Sequence, residues 1–137
     1  MLDTAALAGC RVLLAEDNKT NRLLVRKYLA DLGITLSEAH NGRQAVTMCP
    51  QVAPDIILMD MSMPELDGLA ATREIRSLDI EQPVIVALTA NAFESDREAC
   101  LAAGMDYFLQ KPISKSVLLQ TLTMLRIGRD ENQGLSG

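Results

Sequence analysis

Aromatic side chains are scarce in this chain: 3% of 137 residues, with two Tyr, two Phe and no Trp. That scarcity argues against a stacking platform for single-stranded nucleic acid. A basic excess is missing as well. Thirteen Lys+Arg stand against 18 Asp+Glu, a formal charge of −5, which speaks against direct contact with nucleic acid. No apolar run approaches the roughly 20 residues that a membrane helix needs, and the opening Met1-Leu-Asp-Thr4 has no basic segment of the kind that begins a secretory signal. The three cysteines, Cys10, Cys49 and Cys100, lack CxxC spacing and His partners. They read as reduced thiols that pack as small apolar side chains. These absences leave a cytoplasmic domain with no membrane contact of its own.

Hydrophobic residues make up 48% of the chain and charged ones 23%, enough for one compact domain. Four short apolar runs stand out: Val12-Leu-Leu-Ala15, Ile56-Ile-Leu-Met59, Val84-Ile-Val-Ala-Leu88 and Tyr107-Phe-Leu109. Continuous apolarity over so few residues suits strands covered on both faces. Thr35 to Ala39 alternates more and suits an edge strand. Helical signals fall between the runs. Asn18 caps a helix carrying Leu24, Tyr28 and Leu32 that stops at Gly33. Gly42 to Met48 reads as a short helix ended before Pro50. Leu69 to Leu78 sets Ala71, Ile75 and Leu78 on one stripe, and Asn91 to Ala103 ends at Gly104. Ser114 caps a last helix whose Leu118, Leu122 and Leu125 share a face.

Strand and helix thus alternate five times with short connections. Parallel crossovers place each helix on a sheet face, so the pattern predicts a doubly wound, three-layer α/β domain. Residues 1–9 read as a peripheral N-terminal extension, 10–127 as the domain, and 128–137 as a polar tail or linker.

In a parallel sheet all strands end at one edge, where ligands bind. The first strand runs into Glu16-Asp17, the third into Asp60, the fourth into Thr89 and the fifth into Lys111-Pro112. Two carboxylates about 4 Å apart repel by roughly 4 kcal/mol at an effective dielectric near 20. Three together call for a cation, and an all-oxygen donor set selects a hard divalent ion, Mg²⁺ before Mn²⁺ or Ca²⁺. Mg²⁺ held by carboxylates and water commonly receives a phosphate. Asp60 is then a candidate nucleophile toward phosphorus, with Lys111 as a point charge and Thr89 as a hydrogen-bond donor.

The strings Leu14-Ala-Glu-Asp-Asn18, Leu58-Met-Asp-Met-Ser-Met-Pro64 with Asp67-Gly68, Leu88-Thr-Ala90 and Gln110-Lys-Pro112 resemble the receiver (response-regulator) domain family over about Arg11 to Arg126. The resemblance implies a flavodoxin-like (βα)5 fold with sheet order 2-1-3-4-5 and helices on both faces. It implies phosphorylation at Asp60, and Mg²⁺ (or Mn²⁺) held by Glu16, Asp17, Asp60 and the backbone carbonyl of Ser62. It further implies Thr89 and Phe108 as switch residues, Lys111 as the catalytic lysine and a cis bond before Pro112. The signalled surface would be the fourth helix, fifth strand and fifth helix.

Asp17-Asn18-Lys-Thr-Asn21 and Leu88-Thr-Ala-Asn91 look most like receivers of hybrid histidine kinases and phosphorelays. The implied partner is a histidine kinase or a histidine phosphotransfer domain, docking around Asn18, Asn21 and Arg22. On this reading the chain is a signalling phosphoacceptor rather than an enzyme, free-standing or part of a hybrid kinase, and its oligomeric state is open. The alternative is a metal-dependent phosphohydrolase with an aspartyl nucleophile. Haloacid-dehalogenase-like enzymes carry a second Asp two residues after the nucleophile, where this chain has Ser62. Flavin or dinucleotide binding would need a Gly-rich loop after the first strand, which is acidic here. A degenerate receiver would lack some of the five hallmark side chains. His40 reads as solvated or capping, Met59 as core, and Arg73, Glu74 and Arg76 as an exposed helix face.

Overall fold

The computed structural model describes residues 4–90 and 94–136, with side-chain surroundings for 4–90 and 97–128. A short 3₁₀ turn (Ala5–Leu7) precedes β1 (Arg11–Ala15), α1 (Lys19–Leu29), β2 (Thr35–Ala39), α2 (Gly42–Val52), β3 (Ile56–Asp60), α3 (Gly68–Arg76), β4 (Val84–Thr89), α4 (Glu94–Ala103), β5 (Tyr107–Gln110) and α5 (Lys115–Ser136). The strands form one sheet in the order β2-β1-β3-β4-β5. Every pairing is parallel, with Leu14 beside Leu58 and Leu58 beside Val86.

Alternation along the strands sorts the core into two layers. Val12, Leu14, Ile56, Leu58, Val86 and Leu88 face α1 and α5, meeting Val25, Leu29, Leu118 and Leu122. Leu13, Ile57, Met59, Ile85 and Ala87 face the other way, onto Ala45, Cys49, Ala71, Ile75 and Cys100. All five residues of β3 are buried, which explains its unbroken apolar run. Each such aliphatic side chain contributes about 1.5–3 kcal/mol through removal from water.

The helix starts follow from side-chain caps. Asn18, Asn41 and Asp67 each accept a backbone N–H from the residue three positions on, at the starts of α1, α2 and α3. Ser114 Oγ accepts from Val117 N in the same way.

Several boundaries depart from the sequence reading. The first helix stops at Leu29 rather than Gly33, because Ala30 is extended and Asp31 takes a left-handed φ of 64°. Its buried stripe is Val25 and Leu29. Leu24 is 39% exposed, while Tyr28 and Leu32 of the expected stripe are partly buried against the same core. The second helix runs through Pro50 to Val52. Pro50 cannot donate a backbone bond of its own, and the helix closes after Val52, with Ala53 left-handed and its N–H on the Cys49 carbonyl. The N-terminal segment is not peripheral: Leu7 is fully buried in the α1–α5 layer, and Gly9 N–H donates to Gly33 O at 2.8 Å. The fifth helix continues past Gly128 to Ser136, each glycine in a helix costing only about 1 kcal/mol. The expected helix start at Asn91 lies outside the described residues.

Arg76 is the largest departure. Its side chain is 23% exposed and spans three segments. Nε donates to Gly104 O, Nη1 to Gln82 Oε1 and Pro83 O, and Nη2 to Asp106 Oδ2. The same Asp106 oxygen accepts from Ile85 N, so one guanidinium ties α3 to the entrances of β4 and β5. Glu74 pairs with Arg43 at 2.9 Å.

Candidate functional site

The carboxyl edge of the sheet gathers the polar residues that interrupt its apolar strands. Glu16 and Asp17 follow β1, Asp60 ends β3, Thr89 ends β4 and Lys111 follows β5. Glu16 and Asp60 are buried at 2% and 3% exposure, and Thr89 is buried as well. Asp17 is exposed. One carboxylate oxygen from each of Glu16, Asp17 and Asp60 lies within 4.8 Å of the other two.

Lys111 crosses this cluster, with Nζ 3.0 Å from Asp60 Oδ1 and 3.1 Å from Glu16 Oε1. The lysine is held by its own backbone, whose N–H donates to Thr89 O at 2.7 Å. The Lys111-Pro112 bond is cis. Ser62 N donates to Asp60 Oδ1 at 3.2 Å. Glu16 accepts from Asn18 N and from Asn21 Nδ2, both at 3.2 Å. Gly68 is needed beneath Asp60, because a Cβ there would stand 2.4 Å from Asp60 O.

Electrostatics follow from the geometry. Burial pushes the Glu16 carboxyl above its ordinary range, and the Asp60 carboxylate beside it pushes further, while Asn18 N–H and Lys111 pull back. Burial works to lower Lys111, yet Asp60 and Glu16 together outweigh it and raise the ammonium. Three carboxylates against one ammonium leave negative charge in excess. The donors are oxygens alone, in one small volume with an exposed Asp17, which fits a hard divalent cation.

Around Asp60 lies a cavity of about 330 Å³ lined by Asp60, Met61, Ser62, Thr89, Ala90 and Lys111. It has room for a phosphoryl group above Asp60. On the far side of Lys111, Asn21, Leu24, Val25, Pro112 and Ile113 line a cleft of about 290 Å³. Phe108 is half-buried against the lower core, with the Arg97 guanidinium 4.4 Å above its ring.

The sheet therefore brings together Glu16, Asp17, Asp60, Thr89 and Lys111, and sets Phe108 one strand layer away. Met59 packs in the lower core, and Met61 Sδ lies 3.7 Å from Cys100 Sγ. The three cysteines are buried and form no disulfide. His40 is exposed just after edge strand β2. Pattern reading missed the inward turn of Arg22. Its side chain is only 11% exposed, although its place one turn into a capped helix looks solvated in sequence.

Comparison with known proteins places these features. The family model of the response regulator receiver domain matches residues 12–123. Hybrid signal transduction histidine kinase B of Dictyostelium discoideum is 46% identical over 121 residues, which cover 80% of this chain and 6% of that kinase. Sensor histidine kinase RcsC of Salmonella typhimurium is 39% identical over 82% of this chain and 12% of its own length. The chain thus spans only a small part of these curated relatives. A solved receiver domain, from sensor histidine kinase PA1611 of Pseudomonas aeruginosa, has a magnesium ion coordinated in its active site cleft. It is 41% identical, with a TM-score of 0.78 over 87% of this chain and 98% of that one. The receiver domain of Ssk1 from Saccharomyces cerevisiae, solved with the histidine phosphotransfer protein Ypd1, superposes with a TM-score of 0.82 at 27% identity over 88% of this chain and 90% of that one. Among the described residues no helix is long and apolar enough to cross a membrane. On sequence and on fold alike, the chain belongs to the response regulator receiver domain family, the signal-accepting module of two-component and phosphorelay systems.

Proposed function

We propose that Asp60 is the phosphoacceptor and that its donor is a phosphohistidine on a histidine kinase or a histidine phosphotransfer domain. A carboxylate oxygen of Asp60 attacks phosphorus, the bond from phosphorus to the donor imidazole nitrogen breaks, and an acyl phosphate forms. The donor leaves as neutral histidine once its ring nitrogen takes up a proton. The observation that carries this reading is Asp60 itself: a carboxylate 3% exposed at the base of a cavity, with Lys111 Nζ at 3.0 Å.

The remaining roles follow from position. Lys111 faces Asp60 and Glu16 and is placed to turn its charge toward the phosphoryl oxygens as they arrive. Thr89, at the end of the next strand, offers its hydroxyl to the same group. Glu16, Asp17, Asp60 and the Ser62 carbonyl would hold Mg²⁺, with Mn²⁺ a possible substitute, and the bound ion supplies neutralisation of charge on the transferring group. Positioning and charge compensation are most of what such a transfer asks of the protein.

Phosphorylation adds negative charge at Asp60. Thr89 moving toward it vacates space that Phe108 can fill, coupling the site to the α4-β5-α5 surface. The cleft lined by Leu24 and Ile113, with Leu23 42% exposed beside it, is an apolar seat next to Lys111 for the donor domain. In a longer chain this module would form the cytoplasmic receiver of a hybrid kinase. The phosphohydrolase reading is disfavoured by Asp67, the next carboxylate along after Glu65, which is engaged as the α3 cap through Ala70 N at 2.8 Å. The test is acetyl phosphate labelling of wild type and Asp60→Asn in Mg²⁺. Hydroxylamine-labile phosphate on wild type and none on the variant is expected; equal labelling would remove Asp60 from the role.

A further inference from the structure

The turn after β1 has to present two carboxylates at a fixed spacing, yet it lies beyond the last sheet pairing, which ends at Ala15. Backbone carbonyls in such a turn need partners or the turn is loose. Here one side chain supplies both. Arg22 Nη1 donates to Glu16 O and to Asp17 O, each at 2.9 Å. These are charge-assisted bonds, stronger than neutral ones.

Arg22 is itself held in place. It sits in the first turn of α1, its N–H on the Asn18 carbonyl at 3.0 Å. Its Nε lies 3.9 Å from Glu38 Oε1 on β2, and Glu38 is gripped from outside by Arg26 through two bonds of 2.8 and 2.9 Å. With an 11% exposed side chain, Arg22 has little surface to offer a docking partner. Asn18 and Asn21 complete the frame by donating to the two Glu16 carboxylate oxygens. The β1–α1 turn is thereby locked at the backbone by Arg22 and at the side chain by two asparagines.

We infer that Arg22 is a positioning residue for the phosphorylation site, fixing the backbone of the Glu16-Asp17 pair so that its carboxylates converge with Asp60 on the divalent ion. This assigns part of the Asp17-Asn18-Lys-Thr-Asn21-Arg22 string to the inner site rather than to partner recognition. A side chain that orients metal ligands from behind commonly accounts for a 10–100-fold effect on metal affinity. A lysine at position 22 keeps the charge but lacks the rigid planar guanidinium that aims Nη1 at both carbonyls while Nε faces Glu38.

The inference rests on the reading of Asp60 as acceptor, and the experiment separates the two. Mg²⁺ affinity is measured by calorimetry on wild type, Arg22→Ala and Arg22→Lys, alongside amide exchange of residues 16–18 in EDTA and labelling by acetyl phosphate across a Mg²⁺ titration. Acetyl phosphate requires no docking surface. The expected result is Mg²⁺ affinity weaker by about tenfold or more in Arg22→Ala, with a smaller loss in Arg22→Lys. Exchange at 16–18 should be faster in the metal-free variant, and labelling should return toward wild type at saturating Mg²⁺. Unchanged Mg²⁺ affinity and exchange in both variants would overturn it. So would normal acetyl phosphate labelling combined with a loss confined to transfer from a phosphohistidine protein. If Arg22→Ala fails to fold, Arg22→Lys alone decides through the same shift in affinity. Failure of wild type to label at all would count against the acceptor reading, while the affinity and exchange results would still decide the role of Arg22.

Discussion

Replacing Gly68 by alanine adds one methyl group directly beneath the acceptor. That methyl carbon would stand 2.4 Å from Asp60 O, 3.0 Å from Met61 Cα and 3.1 Å from the Asp60 carbonyl carbon. Ordinary contact begins near 3.4 Å, so the closest approach is about 1 Å short. All three atoms are backbone, and no rotamer change relieves the overlap. Either the start of α3 or the end of β3 has to shift. Overpacking of this kind costs about 1–3 kcal/mol, equivalent to a fall in Tm of about 3–10 °C at roughly 3 °C per kcal/mol for a domain of this size. The shift also moves Asp60 relative to Lys111, and a displacement near 1 Å can slow a positioned reaction by about 100-fold. Urea unfolding followed by circular dichroism measures the first effect, and the initial rate of acetyl phosphate labelling the second. Gly128→Ala is the control with opposite sign. Its Cβ would meet nothing within 4 Å, so the substitution stabilises α5 by about 0.5–1 kcal/mol. Gly68→Ala unfolding at the wild-type midpoint and labelling at the wild-type rate would refute the reasoning.

Two further substitutions probe the frame. Arg76→Ala removes the donor to Gly104 O, Pro83 O, Gln82 Oε1 and Asp106 Oδ2 and takes that donor from the two backbone carbonyls, while Asp106 Oδ2 keeps Ile85 N. It is expected to cost about 2–3 kcal/mol in urea unfolding, and a loss within experimental error would show the network to be idle. Cys49 tests burial through pH: burial pushes its thiol above the ordinary 9.0, against a smaller lowering by Arg76. Below pH 9 both states hold the proton and nothing changes. Above it the unfolded chain releases the proton first, so stability falls with rising pH. Cys49→Ala should therefore show a shallower decline than wild type above pH 9, and parallel curves would contradict the assignment.

The five strands and their catalytic-edge residues were legible because both signals are local. An apolar run ending abruptly in Glu16-Asp17, Asp60 or Thr89 marks a buried strand and its exit without any knowledge of neighbours. Arg22 and Arg76 were not legible for the opposite reason. Each lies on a helix at a position that reads as solvent-facing, and several of its partners (the Glu16 and Asp17 carbonyls, the Gly104 and Pro83 carbonyls) are backbone atoms with no sequence signature. Leu7 was hidden for another reason: it lies in a short Ala-rich stretch before the first strand with no periodicity of its own, and only its packing in the α1–α5 layer makes it core. Pro50 misled because the helix passes through it and ends at Val52, where left-handed Ala53 closes it. Leu24 and Val25 show the limit of periodicity: both fit a helical stripe, and the packing of α1 on the sheet buries Val25 and leaves Leu24 39% exposed.

The central claim, that Asp60 takes the phosphoryl group, is tested most directly by covalent mapping. Borohydride reduces an acyl phosphate on aspartate to homoserine, leaving a permanent mark that peptide mass spectrometry reads by position. After incubation with acetyl phosphate and Mg²⁺, homoserine at position 60 and at no other aspartate is predicted. Homoserine at Asp17 or Asp67 with Asp60 intact would contradict the account.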